Sequence, residues 1–129
     1  MNQGLSKAER LKSRKQITQL FSKNQHVFSY PFKYIFSLSN QCNETPVKLL
    51  ISVPKRSFKH AVDRNRIKRL IREAYRKNKA IIYKQLQTQE TEILLGIIYV
   101  GKEIMTYQDI EKSLIKGLEK LRIKLKSKS

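Results

Sequence analysis

Eleven cationic side chains crowd into residues 55–79: Lys55, Arg56, Lys59, Arg64, Arg66, Lys68, Arg69, Arg72, Arg76, Lys77 and Lys79, against only Asp63 and Glu73. This stretch carries half of the chain's net charge of +18. The charges are also ordered. At about 100° per residue, a helix over residues 61–78 gathers Arg64, Asn65, Lys68, Arg69, Arg72 and Arg76 within an arc of roughly 140°. Ile67, Leu70, Ile71, Ala74 and Tyr75 fall together on another side. A helix that buries one stripe and turns guanidinium groups to water needs a polyanion to relieve their repulsion. The planar arginine fork suits phosphate, which it grips through two hydrogen bonds. The chemistry expected of this face is therefore phosphate binding in a nucleic acid. A merely solvated basic face is the alternative, which the length and imbalance of the run disfavour.

At 129 residues and 15.2 kDa the chain fits one domain, residues 1–129, large enough to bury roughly two-thirds of its unfolded surface. A sequence pI near 10.2 calls for an anionic partner such as RNA, DNA or an acidic membrane surface. Cys42 is the single cysteine, which leaves no disulfide framework and no thiol cluster for a metal. His26 and His60 lack any supporting motif, so a Cys42 nucleophile has no base to activate it. No paired carboxylates sit in an apolar setting, and neither a His/Asp/Glu ligand spacing nor a Gly-rich phosphate loop is present. Catalytic residues and metal ligands are accordingly expected to be none in the polypeptide. The longest apolar run, residues 93–100, is too short to span a bilayer, and the polar N-terminus lacks the apolar core of a secretory signal. A cytoplasmic protein with no membrane partner is expected.

The elements that must position the basic helix are legible from periodicity. Residues 1–12 read as a loose basic arm, with residues 1–9 and 125–129 the expected flexible ends. Ser13 with Gln16 forms a capping box ahead of a short helix whose stripe is Ile17, Leu20 and Phe21; Ser6 with Glu9 is a competing start. From Val27 the period becomes two: Phe28, Tyr30, Phe32, Tyr34, Phe36 and Leu38 alternate with Ser29, Pro31, Lys33, Ile35 and Ser37, as in a strand with one buried face. Pro31 implies an edge, bulge or break. Residues 47–53 give a second strand that ends at Pro54, and an antiparallel hairpin between these two strands is expected. Residues 80–87 follow as a short helix and residues 93–100 as a central strand. Thr106 with Asp109 caps a last helix carrying Ile110, Leu114, Leu118, Leu121 and Leu125.

The run Ala61-Val62-Asp63-Arg64-Asn65-Arg66-Ile67-Lys68-Arg69-Leu70-Ile71-Arg72-Glu73-Ala74-Tyr75-Arg76, behind a strand ending Ile51-Ser52-Val53-Pro54-Lys55-Arg56, closely resembles the signature of the bacterial ribonuclease P protein subunit. The similarity extends over roughly residues 10–121, through Arg10-Leu11, the short helix ending Leu20-Phe21, the aromatic strand and the late strand and capped helix. The resemblance implies an α+β fold, a two-layer α/β sandwich in which a four-stranded sheet packs with helices. It further implies a left-handed β-α-β crossover through the basic helix, against the general right-handed rule. It also implies assembly with one catalytic RNA into an endoribonuclease that cuts precursor tRNA to release the 5′ leader. In that family the chemistry belongs to the RNA and its magnesium ions, so no cofactor bound by the protein alone and no obligate protein partner are expected.

Matched to this signature, Lys55, Arg56, Arg64, Asn65, Arg66, Lys68, Arg69, Arg72 and Arg76 are the RNA-binding candidates. Arg64, Lys68, Arg69 and Arg72 are assigned to phosphates, Asn65 to a sugar hydroxyl or a neighbouring arginine, and Arg66, which points away from the arc, equally to a structural bond. The family also carries a leader-binding cleft between the first helix and the sheet, where bases stack on aromatic rings. Ile17, Phe21, Phe32, Tyr34 and Phe36 are its candidates here, Ile17 standing where the family often has an aromatic. An aromatic stripe at strand spacing can equally be core. The rival readings are a non-catalytic RNA-binding protein of ribosomal type, a lipid-bound amphipathic protein whose face lacks the required large apolar residues, and a non-specific DNA binder.

Overall fold

The computed structural model describes residue 10 and residues 14–22, 25–39, 46–89 and 92–126. Eight elements follow in the order α1 (Arg14–Ser22), β1 (Gln25–Ser29), β2 (Phe32–Ser39), β3 (Val47–Ser52), α2 (Ala61–Asn78), α3 (Ala80–Thr88), β4 (Glu92–Tyr99) and α4 (Tyr107–Lys126). The strands form one sheet in the order β1-β2-β4-β3.

Two strand expectations are corrected. The aromatic stretch is not one strand: Tyr30 and Pro31 turn it back on itself, so that β1 and β2 are the antiparallel hairpin and Ser29 pairs with Phe32. Nor do β2 and β3 pair with each other. β4 lies between them, antiparallel to β2 and parallel to β3, and α2 with α3 makes the crossover that a parallel pair requires. The physical reason lies in β4 itself, whose Ile93, Leu94, Leu95 and Ile97 are all buried and so need cover on both faces and a neighbour on both sides.

The two faces of the sheet have separate cores. On one, Phe32, Tyr34, Phe36, Leu49, Leu95, Ile97 and Tyr99 lie beneath α2, α3 and α4. On the other, Ile35 and Leu94 are covered by Leu20 of α1, with Ile17, Leu50 and Ile98 half-buried around them. Close approach on each face depends on a glycine. A Cβ at Gly117 of α4 would collide with the ring and hydroxyl of Tyr34, and one at Gly96 of β4 would come within 2.8 Å of Ile35 Cγ1.

Helix boundaries follow local chemistry. Thr106 Oγ1 accepts from the Asp109 amide at 3.2 Å, which caps α4 as its sequence indicates. α4 runs to Lys126 and buries Leu125, so the chain is helical past the expected start of a tail at 125. The capping box at Ser13, the loop carrying Cys42 and the ends at 1–9 and 127–129 lie outside the described residues; Arg10 makes a parallel bridge to Leu49. Phe58 and Phe32 each pack on Tyr99, with ring centroids 5.9 Å apart, and pin the loop between β3 and α2 to the core.

Candidate nucleic-acid interface

Four residues of α2, Ile67, Ile71, Ala74 and Tyr75, are fully buried against the sheet and α4. Burial of the three larger ones contributes roughly 1.5–3 kcal/mol each, whereas a like-charged i,i+4 pair such as Lys68 and Arg72 costs only about 0.2–0.5 kcal/mol. The helix can therefore hold its cations close together. Asn65, Arg66, Arg69 and Arg72 are exposed and Lys68 is half-buried, and among the described residues none of the four cations has a carboxylate partner. Lys55, Arg56 and Lys59 extend this surface from the adjoining loop, where the Pro54 carbonyl accepts from the Ser57 and Phe58 amides, each at 3.3 Å.

Two cations of the expected arc are engaged inside the protein. Arg64 sits at the border of the buried stripe, and its Nη1 donates to the Phe58 carbonyl at 2.8 Å and the Lys59 carbonyl at 2.9 Å. It fastens the loop to the first turn of α2. Arg66, which the sequence offered equally as an RNA contact and as a structural bond, is exposed to solvent, and the structural bond to the loop is made by Arg64 instead. Arg76 is ion-paired with Glu73, whose carboxyl is held below the usual carboxylate range first by the hydrogen bond from Arg76 and then by the charges of Arg76 and Lys77. The open row thus ends at Arg72, and Lys77 turns toward α4, with its ammonium 5.5 Å from the centre of the Tyr107 ring.

The cleft is placed differently from the sequence expectation. Ile17 and Phe21 lie on α1 as expected, half-buried and exposed respectively. Phe32, Tyr34 and Phe36 are at most 1% exposed on the opposite face of the sheet, packed under the other helices. They do not line the cleft, because β-strand alternation sends their neighbours Lys33, Ile35 and Ser37 toward α1 instead. Gln19 Nε2 donates to Ser37 Oγ at 3.3 Å on that face. Strand register sets Phe28, Lys33, Ile98 and Ser52 in one row across all four strands. Phe28 is 54% exposed and Lys33 is exposed. Two residues beyond Ile98 and Ser52, just past the ends of β4 and β3, Val100 and Pro54 join Arg56, Ser57 and Lys102 around an open cavity of about 490 Å³. Phe28, Lys33 and Lys102 went unassigned from sequence. The signal for the first two was the turn at Pro31: a two-residue hairpin sets residue 28 opposite residue 33.

Tyrosine environments reflect packing. Burial pushes the Tyr34 hydroxyl up, and burial, chiefly, raises that of Tyr99, which donates to the Glu103 carbonyl at 2.5 Å. Among the described residues no three of His, Cys, Asp and Glu converge, and no helix is long and apolar enough to cross a membrane.

This arrangement has close counterparts. The family model described as Ribonuclease P matches residues 5–122. The ribonuclease P protein component of Porphyromonas gingivalis is 35% identical over 115 residues, covering 89% of this chain and 84% of its own. That of Chlorobaculum tepidum is 33% identical over 102 residues, covering 74% and 66%. Among solved structures, the Staphylococcus aureus RNase P protein superposes with a TM-score of 0.71 at 27% identity, covering 89% of this chain and 96% of its own. The Thermotoga maritima RNase P protein shares the fold with a TM-score of 0.69 at 22% identity, covering 87% and 96%. With its sheet, its basic helix and nearly its whole length accounted for in this way, the chain belongs to the ribonuclease P family.

Proposed function

We propose that the chain is the protein subunit of a ribonuclease P ribonucleoprotein, a cytoplasmic endoribonuclease whose catalytic centre lies in its RNA. The observation that carries this reading is the row Lys68, Arg69 and Arg72, with exposed Arg66 beside it, none of them ion-paired among the described residues and all fixed by the buried side of α2. These residues, with Asn65, Lys55 and Arg56, hold phosphates and sugars of the folded catalytic RNA. The 5′ leader of precursor tRNA lies in the cleft of the other face, where Phe21 and Phe28 offer stacking surfaces and Lys33 and Lys102 offer charge. Stacking of this kind tolerates any base, which suits a leader of variable sequence. The side chains bind and orient both RNAs. Magnesium belongs to the RNA in this reading.

The test is reconstitution: the chain is added to its cognate catalytic RNA at low magnesium, and cleavage of precursor tRNA to the mature 5′ end is measured. Restored cleavage supports the function, whereas equal cleavage with and without the chain removes it. An RNA-binding protein of ribosomal type would give the second result.

A further inference from the structure

A second cationic surface lies along α4. Lys112, Lys116 and Lys120 recur every four residues and so share one flank of the helix, and all three are exposed. Two of the three carboxylates of the same helix are bonded to other side chains, and the third, Asp109, lies one turn before Lys112 without an ion pair among the described residues. Glu119 pairs with Arg122 at 2.9 Å, and Glu111 accepts from Asn78 and Tyr107. Asp109 sits in the first turn, where the helix dipole favours it. Among the described residues Lys112, Lys116 and Lys120 have no carboxylate partner.

This row is separate from the one on α2. α4 packs on α2 and along β1, and α2 packs along β3; β1 and β3 are the two edge strands of the sheet. At roughly 4.8 Å per strand these edges stand about 14 Å apart, and the contact of Lys120 with β1 turns the lysine row toward the β1 edge, away from α2. At the β1 edge, Lys120 Nζ donates to the Phe28 carbonyl at 3.3 Å and Lys124 Nζ to the His26 carbonyl at 2.9 Å. Those carbonyls point away from β2, so the lysines occupy the positions that an added strand would need. The partner of this edge is therefore not a β-strand. Lysine acts as a point charge without the geometry of the arginine fork, which suits phosphates of any sequence.

We infer that the α4 lysine row and the adjoining β1 edge form a second RNA-binding surface, which takes the phosphate backbone of a segment other than the one seated on α2. The inference rests on the function proposed above and extends it from one RNA contact to two. The test uses the full chain carrying Lys112→Gln, Lys116→Gln and Lys120→Gln, with its cognate catalytic RNA. The salt dependence of affinity is measured for two steps, the chain joining the RNA and the holoenzyme binding precursor tRNA. Loss of three phosphate contacts lowers the log–log slope of one step by about 2 to 3, and the step affected identifies which RNA is held. The Lys112→Gln, Lys116→Gln double variant keeps the bond from Lys120 to β1 and is expected to lower the slope by about 1.5 to 2 even if the triple variant folds poorly. Two unchanged slopes overturn the inference, as does a loss confined to binding of anionic phospholipid vesicles. Arg69→Ala with Arg72→Ala is run alongside. If its slope falls while the lysine variants hold theirs, the second surface fails and the function stands; if every slope is flat, the function itself fails.

Discussion

Arg64 donates its guanidinium Nη1 to the backbone carbonyl of Phe58 at 2.8 Å, so the first arginine of the signature holds the protein's own loop. Replacing it with alanine leaves two loop carbonyls without their donor and is expected to destabilise the fold by about 1–2 kcal/mol, with little direct change in the salt dependence of RNA binding. Arg66→Ala should do the opposite, leaving stability within about 0.5 kcal/mol while lowering the salt slope by about 0.7–0.9. Thermal unfolding and salt-titrated binding of the two variants separate the roles, and equal behaviour would contradict them.

The capture of Arg64 by the loop shows where sequence reasoning reached its limit. A helical wheel locates the buried stripe of α2 well, because Ile67, Ile71, Ala74 and Tyr75 obey the period of 3.6. It says nothing about a loop folding back over the first turn, and that loop is what captures Arg64. The sheet has the same character. Alternation identified Phe32, Tyr34 and Phe36 as one face, yet whether that face meets solvent or core depends on which side α2, α3 and α4 cover. The β1–β2 hairpin was hinted at by Pro31. The insertion of β4 between β2 and β3 left no local mark beyond its continuous apolar character.

Gly117 and Tyr34 define how closely α4 approaches the sheet. Gly117→Ala forces a methyl group onto the tyrosine ring, and overpacking of this kind is expected to cost roughly 1–3 kcal/mol. Tyr34→Phe should cost less than about 1 kcal/mol, because the buried hydroxyl has no hydrogen-bond partner among the described residues. Denaturant unfolding of both variants checks the pair.

Aromatic side chains of the two sheet faces should respond in opposite ways. Phe28→Ala and Lys33→Ala are expected to weaken binding of precursor tRNA with a long leader, by about 1–3 kcal/mol for the stacked ring, and to leave mature tRNA binding unchanged. Phe36→Ala should instead destabilise the fold by about 3–5 kcal/mol. A leader effect from Phe36→Ala without loss of stability would return that ring to the cleft.

Glu73 has a lowered carboxyl pKa, caused chiefly by its hydrogen bond from Arg76. A depressed folded-state pKa contributes stability that is present above the unfolded value and is lost as pH falls through the folded one. The thermal midpoint of Glu73→Gln should therefore lie slightly below that of the unaltered chain at neutral pH, with the gap closing on acidification. A gap that widens in acid would exclude this assignment.

The most direct measurement is the affinity of the chain for its cognate catalytic RNA between 50 and 200 mM salt, with and without Arg69→Ala and Arg72→Ala. With about six phosphates engaged, affinity should fall by about three orders of magnitude across that range, and the double variant should show a slope smaller by about 1.4–1.8. An affinity that does not change with salt, or a double variant that titrates like the unaltered chain, contradicts docking by the α2 row.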